Sequence, residues 1–568
     1  MTEGNDLLFF QKYTLYKINK SIEEGKKGII LANDPGLGKT IVSLFATEGV
    51  PSVIIAPNGV VSTWEEQADR FMKKHSIMNI KGLPSDKRKE LLRAVEIGAR
   101  DVYTKPKVLT NQEFLRAFDD DERFFELNRI LKDGILIIDE SHWRKNTNTN
   151  QEQGVRRLNP KFTILLTATP YSDIESMRKM LSLVSDNIDI TNKVAFKKVF
   201  RKNIGSIKAL THFSHENVIR WRKLDVFETF DENISLNEQK ERLPKKKFMP
   251  NIEYTLTNEQ SHGILELLTS WKEWTEKYGH YIPKTTDTKQ DRIWDNNGLV
   301  KKHALRNIMN NPQYIGQNIQ SNKHTSVVNT VVENVNSGRK VLIFCRYISE
   351  AKTYQSLLSE YNPSMIIGSQ NFDEEEKEET SGDKFKFDEN GEGWIFDENG
   401  YPIPDENGRI MEKLDYERLT FMKGKDRKVA ICTYGTGGVG ITLNAAKAVI
   451  FSDLPDTYIE QYQAEDRVHR IDTNETRTHY DVRYYNAVAK YPEEFIELMK
   501  HTKLKAGEDV TAFDDFFIDG TYDEVQLTNL ESQKKLFQLL VDGIIDEEEL
   551  RAKENENPYE SVLRNDND

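Results

Sequence analysis

Short apolar runs punctuate the first third of the chain: GIIL (28–31), SVIIA (52–56), KVLT (107–110), GILIID (134–139) and FTILLTAT (162–169). Each is rich in β-branched residues, bounded by turn formers and separated from the next by a helical pattern. Such runs predict a parallel sheet covered on both faces. The rhythm returns in KVLIFC (340–345), SMIIG (364–368), KVAICT (428–433), AVIFSDL (448–454) and THYDVRYY (478–485). The fold class expected is therefore α/β, with two similar tandem lobes. Ligands of such sheets bind beyond the carboxyl ends of the strands.

The expected division is a first lobe over residues 1–185, a helical, polar protrusion and linker over 186–320, a second lobe over 321–505 and an acidic tail over 506–568. The helical part contains LPKKKFMPN (243–251), whose adjacent lysines read as a solvated face, with nucleic-acid contact as the alternative. The second lobe is interrupted at 371–412 by a repeated unit, FDENGEGWI, FDENGYPIP and DENGRIM. Asn-Gly favours tight type I′ turns, so this acidic insert is expected to form small β-hairpins. In the tail, KKLFQLLVDGIIDEEELRAKE (534–554) reads as two short helices hinged at Gly543, a packing or interaction element.

A chain of 568 residues exceeds one hydrophobic core. Its 37% hydrophobic content is that of a folded protein, and no run approaches the roughly 18 apolar residues of a membrane span. The start, MTEGNDLLFFQKY, lacks the features of a signal peptide. The two cysteines, Cys345 and Cys432, each sit inside an apolar run and read as reduced core thiols. An intracellular protein is expected, in cytoplasm or nucleoid, or in host cytoplasm if viral, and not secreted. The net charge of −13 argues against a generally basic nucleic-acid binder, but residues 371–412 carry −11 and residues 505–568 carry −12. The remainder holds about +10, enough for a basic groove.

The stretch LANDPGLGKT (31–40) ends as a phosphate loop does, although the strict pattern asks for Gly where this chain has Asn33. It follows GIIL and precedes the helical pattern TIVSLFATEG, where helix N-terminal amides face an anion. Gly36 and Gly38 let backbone approach phosphate oxygens, Lys39 supplies a point charge, and the Thr40 hydroxyl suits Mg²⁺. A metal-holding acid is then needed on a neighbouring strand, and ILIIDESH supplies Asp139 and Glu140. Asp139 would hold Mg²⁺ through a water, while Glu140 would orient and deprotonate the attacking water. The bland alternative is a pair of acids at a strand end. His142 alone reads as an ordinary polar residue; its value lies in the D-E-x-H string.

DPGLGKT, VIIAPNGVVSTWEEQADRF, IIDESHWRKN, LLTATPYSD, VLIFCRY, TYGTGGVGITLNAA and QAEDRVHRID occur in the order of the superfamily-2 helicase motifs. Together they resemble the Swi/Snf-related branch of double-stranded DNA translocases, over roughly residues 8–500. The last block is closest in style to the small annealing-helicase-like members. In that branch the position of Asn33 is usually not Gly.

The resemblance implies two RecA-like lobes that bind ATP and Mg²⁺, and it gives further residues roles. Gln11 matches the adenine-reading glutamine, with a surface glutamine as the alternative. Val61, Trp64, Ala68 and Phe71 fall at helical spacing and are core residues, whereas Ala56, Pro57 and Asn58 would present amides to a DNA phosphate. Thr167 and Thr169 would relay the nucleotide's state to the DNA face; a plain strand-end turn is the alternative. Gly437, Gly438 and Gly440 would approach ribose and DNA backbone, and Thr442 stands where relatives carry Asn. Gln463, Arg467 and Arg470, at i, i+4 and i+7, share one face of a helix. Arg470 would be the arginine finger, Arg467 a second contact to the γ-phosphate, and Gln463 a coupling residue. After the block relatives continue Ile-Gly-Gln, where this chain has IDTNETR.

The implied function is an ATP-driven motor, a DNA-dependent ATPase that tracks on the duplex backbone to remodel, anneal or displace proteins. It is expected to act as a monomer, its protein partners open. Without chromatin-reading, nuclease or zinc modules, it reads as a compact phage, viral or bacterial motor. Two alternatives stand beside it: a strand-separating DNA or RNA helicase of superfamily 2, and a scaffold on a decayed motor fold.

Overall fold

The computed structural model describes residues 7–57, 60–72, 77–81, 83–84, 87–88, 90, 92, 107–116, 121–141, 150–171, 174–199, 212–227, 244–278, 298–310, 312, 315, 321–368, 383–388, 394–437, 441–470, 481–498 and 520–542. They group into two compact units, residues 1–241 with 532–568, and residues 242–531. Each unit is built on a parallel sheet, as the two sets of apolar runs require.

The first sheet comprises β1 (Gly28–Leu31), β2 (Ser52–Ala56), β3 (Ile77–Asn79), β4 (Lys107–Asn111), β5 (Ile135–Ile138), β6 (Phe162–Leu166) and β7 (Val218–Ile219). Their spatial order is β3-β4-β2-β5-β6-β1-β7, every pair parallel. Strands β1, β2, β5 and β6 are buried at every position, so both faces are covered and no polar alternation survives. Three helices of this unit matter below: α1 (Phe9–Glu23), α2 (Lys39–Ala46) and α3 (Val61–Phe71).

The second sheet contains β8 (Lys246–Phe248), β9 (Ile252–Thr255), β10 (Val341–Cys345), β11 (Ser364–Ile366), β14 (Val429–Thr433), β15 (Ala448–Phe451) and β16 (Val482–Lys490). It runs β11-β14-β10-β15-β16-β8, with β9 also on β16, all parallel. Alternation along these strands sends Val341, Ile343, Cys345, Val429, Ile431, Ala448 and Ile450 to one core. Leu342, Phe344, Ala430, Cys432, Val449 and Phe451 go to the other. The two free cysteines are therefore buried on opposite faces of one sheet. Its helices include α4 (Asn322–Asn336) and α5 (Tyr458–Val468), while α6 (Tyr522–Val541) carries residues of both units.

The stretch expected to be helical between the lobes is not uniformly so. It supplies β7 to the first sheet and β8 and β9 to the second, and Lys246 of the lysine run donates to Glu465 at 2.7 Å. In the acidic insert, β12 (Lys384–Phe385) pairs antiparallel with β13 (Arg409–Ile410). Bridges Phe387–Trp394 and Phe396–Pro402 complete a small hairpin unit. In the tail, α6 begins already at Tyr522, ahead of the expected stretch, and Tyr522, Leu530, Leu536, Phe537 and Leu540 bury along it. Gly543 lies outside the described residues.

A fully buried ion pair fixes the helical layer of the second unit to its sheet. Lys323, on α4, donates to Glu350 Oε1 at 2.7 Å and to Asn310 Oδ1 at 2.6 Å. Ser452, just past β15, donates to the same Glu350 oxygen at 2.7 Å. Burial pushes the Glu350 carboxyl up, and Lys323 pulls it back down. Removing one partner of such a pair leaves a buried charge uncompensated, so Lys323→Met is expected to cost about 3–5 kcal/mol in denaturant unfolding. Lys323→Met with Glu350→Leu should recover most of that loss; equal instability of single and double variants would contradict the pairing.

Candidate active site

At the carboxyl edge of the first sheet, β1 ends at Leu31 and the chain turns through Asn33–Gly38 into α2. Gly36 (φ 83°) and Gly38 (φ 74°) take the left-handed backbone that the tight loop requires. A Cβ at Gly38 would lie 2.3 Å from Gln11 Nε2, so a side chain there would displace the Gln11 amide from the loop. The loop's tip is anchored by Leu37, which packs with Phe10 and Val226. Lys39 and Thr40 open α2, whose free N-terminal amides face outward from the same turn.

Lys39 Nζ donates to the carbonyls of Asn33 at 2.7 Å and Asp34 at 3.4 Å. Burial lowers its ammonium pKa, opposed by Glu140, Asp139 and Asp34. Asp139 follows β5, its own N–H bonded to Ile55 O of β2 at 2.8 Å. Burial pushes its carboxyl up, and the Glu140 charge adds to that; hydrogen bonds and Lys39 work in the other direction. One carboxylate oxygen accepts from the Trp64 indole at 2.8 Å, the other from Glu140 N–H at 2.8 Å. Glu140 itself sits at φ 46°, left-handed backbone that costs a non-glycine residue roughly 1–2 kcal/mol. Strain is thus stored at the residue expected to handle the attacking water.

The third corner is the turn after β6. Thr167 and Thr169 are fully buried; Thr167 N–H bonds to Leu31 O at 3.1 Å, and Thr167 Oγ1 accepts from Thr169 N–H at 3.1 Å. Gln11, on α1, accepts from Leu8 N–H at 2.9 Å and reaches Leu37 O at 3.4 Å, so its amide lies on the loop. The structure thereby brings Gln11, Gly36, Gly38, Lys39, Thr40, Asp139, Glu140, Thr167 and Thr169 to one edge of one sheet. Ala56 ends β2 beside them, and Pro57 O accepts from Val60 N–H at 3.0 Å. Val61, Trp64 and Ala68 are core residues as their spacing predicts, while Phe71 is only partly buried. Asn58, His142, Gly438 and Gly440 lie outside the described residues; Gly437 ends a short helix, Tyr434–Gly437.

In the second unit, Gln463 and Arg467 lie on α5, Arg467 buried and its carbonyl accepting from Leu443 N–H at 2.9 Å. Arg470 does not continue that helical face. The helix ends at Val468 because His469 adopts ψ 75°, and its ring nitrogen bonds Pro244 O at 2.8 Å. Arg470 Nε instead turns back to Asp466 O at 3.3 Å.

Sequence spacing missed the group that holds the phosphate loop in place. Strand β7 adds to β1 and continues as Arg220, Trp221, Arg222 and Lys223. Ala32 N–H donates to Ile219 O, Asp34 N–H to Trp221 O, Trp221 N–H to Asn33 Oδ1 at 3.1 Å and Lys223 N–H to Asp34 Oδ2 at 2.8 Å. Arg220 contacts Asp34 at 2.8 Å, Ala32 O at 2.6 Å, Ala168 O at 3.4 Å and Asp542 at 3.0 Å. The only signal was the brief apolar pair Val218–Ile219 ahead of alternating basic and aromatic residues.

A model of the SNF2-related domain matches residues 14–314. An ATP-dependent helicase of Mycoplasma pneumoniae is 24% identical over 482 residues, covering 83% of this chain and 39% of that protein. Mouse chromodomain-helicase-DNA-binding protein 6 is 24% identical over 590 residues, covering 99% of this chain and 19% of that protein. The chain therefore spans well under half the length of these curated relatives. Among solved structures, the Sulfolobus solfataricus SWI2/SNF2 ATPase core in complex with dsDNA is 19% identical. It covers 93% of this chain and 96% of that one, with a TM-score of 0.35.

Asn33 supplies the acceptor that a glycine lacks. Asn33→Gly, which restores the strict phosphate-loop pattern, is expected to lower stability by about 1–3 kcal/mol by stranding the Trp221 N–H. Unfolding midpoints check the prediction; a neutral or stabilising outcome contradicts it.

Proposed function

The chain belongs to the SNF2-related family, and from that premise we propose that it hydrolyses ATP and converts the energy into tracking along duplex DNA. The observation that carries this reading is the convergence of the left-handed glycine loop, Lys39, the buried Asp139 and the adjacent Glu140 at one sheet edge.

Amides of the Gly36–Thr40 turn take phosphate oxygens, and Lys39 neutralises the outer phosphates. The donor set suits Mg²⁺: a hydroxyl and a carboxylate are hard oxygen ligands, and two carboxylates buried together leave negative charge that a cation relieves. Thr40 and Asp139 are the residues that would hold it, and it would supply charge stabilisation to the leaving and transferred phosphate oxygens. Glu140 orients a water and takes its proton. Gln11 meets the adenine edge. Thr167 and Thr169 report the state of the loop, to which they are already tied through Leu31. Arg467 and Arg470 are the cations for the transferred phosphoryl, with Gln463 as their coupling residue. The turn at Ala56 and Pro57 meets a DNA phosphate, a contact that carries no base information.

Glu140→Gln should cut hydrolysis by roughly 10²–10⁴-fold while nucleotide still binds. Retained turnover would return Glu140 to a structural role. The polymer is decided by comparing ATPase stimulation by blunt duplex DNA, single-stranded DNA and RNA at matched length and salt. Duplex is expected to stimulate most; preference for either single strand would replace tracking by strand separation.

A further inference from the structure

Trp64 carries a polar contact that its place in the core does not require. It is fully buried in the first turn of α3, and its single donor, the indole N–H, points to Asp139 Oδ2 at 2.8 Å. A phenylalanine or leucine would satisfy the apolar surroundings; an indole there places a hydrogen bond on the acid as well. The other Asp139 oxygen is held by Glu140 N–H, so the carboxylate plane is set from two sides, one of them a side chain from a different element.

That element is also the one that begins at the proposed DNA contact. Ala56 closes β2, Pro57 O receives Val60 N–H, and α3 starts at Val61, so Trp64 follows the Pro57 turn by a single helical turn. A buried tryptophan has two side-chain torsions and is packed on all sides, so its ring moves with the backbone that carries it. Displacement of the 56–57 turn by a phosphate strand is therefore passed to α3 and, through the indole, to the orientation of Asp139.

We propose that Trp64 is a positioning residue that sets the Asp139 carboxylate and makes its placement answer to DNA at the Ala56–Pro57 turn. This rests on the reading of Asp139 as the metal-holding acid and of that turn as a DNA contact. Groups that hold a ligand from behind typically change metal affinity or activity 10–100-fold when removed.

The test removes the donor while keeping the shape. Trp64→Phe is the simple variant; site-specific replacement of Trp64 by 3-benzothienylalanine, which has sulfur in place of the indole N–H, keeps the bicyclic volume. Binding of fluorescent ADP is measured with and without Mg²⁺, a readout that needs no turnover. ATPase is measured with and without duplex DNA. Binding without Mg²⁺ is expected to stay within about threefold of the parent protein, whereas tightening by Mg²⁺ falls roughly 10–100-fold. Stimulation by duplex is expected to fall about tenfold. Should the benzothienyl protein keep both Mg²⁺ tightening and stimulation, the proposal is overturned whatever Trp64→Phe does. Lost tightening with intact stimulation overturns the link to DNA. A parent protein that duplex DNA does not stimulate defeats the motor reading itself, and the ADP measurement still decides whether Trp64 sets Asp139.

Discussion

Lys39, Asp139 and Glu140 are gathered where the surrounding strands are buried at every position, and placing charge in such surroundings is costly unless each group is held and answered. Much of the first unit's local structure follows from that constraint. The Lys39 ammonium rests on loop carbonyls and among three carboxylates; Asp139 is pinned by an indole and a backbone amide. Glu140 follows on a left-handed backbone. The Asp139 carboxyl is raised chiefly by its burial, and the Glu140 charge adds to that.

The same constraint explains why the loop needs support from far along the chain. A glycine-bearing turn has little side-chain packing of its own, yet its amides must keep a fixed direction to be useful to a phosphate. The Val218–Lys223 segment gives that rigidity with backbone bonds at Ala32 and Asp34 and with N–H groups that donate to the Asn33 and Asp34 side chains. Arg220 then fastens the loop to the turn after β6 through Ala32 O and Ala168 O, its charge answered by Asp34 and Asp542. A guanidinium fits this place because its planar fork can serve several carbonyl and carboxylate oxygens at once. The two segments that would respond to a nucleotide, 33–38 and 167–169, are consequently not independent.

Most strands of both sheets were legible because a parallel sheet buried on two faces needs unbroken apolar runs, and those runs stand out between helices. Strands β7, β8 and β9 were not. They are two to four residues long and partly polar, recruited by backbone pairing to β1 and β16, and pieces as short as Val218–Ile219 or Lys246–Phe248 barely stand out from loop. Gly36, Gly38, Lys39, Asp139 and Glu140 were legible because local order, loop before helix and acid after strand, dictates their positions. Trp64 was legible only in part: its spacing gives burial, whereas the direction of one N–H depends on a residue 75 positions away. Arg470 was placed by extending a helical period past its end, and the turn at His469 depends on a carbonyl of Pro244 that no local pattern contains.

Asn33 shows how a departure from a motif can be decided by tertiary partners rather than by the ligand. Glycine at that position would leave the loop free to choose its path. Here the side chain is fully buried and its carbonyl oxygen accepts from Trp221, while its backbone oxygen receives Lys39. One residue therefore connects the Val218–Lys223 segment, the loop and Lys39, and a smaller residue could do only the last. The strict pattern describes loops whose geometry is set locally; in this chain part of that geometry is supplied by residues 188 positions downstream. A polar residue at position 33 and the Val218–Lys223 segment serve the same end, a loop held from outside its own sequence.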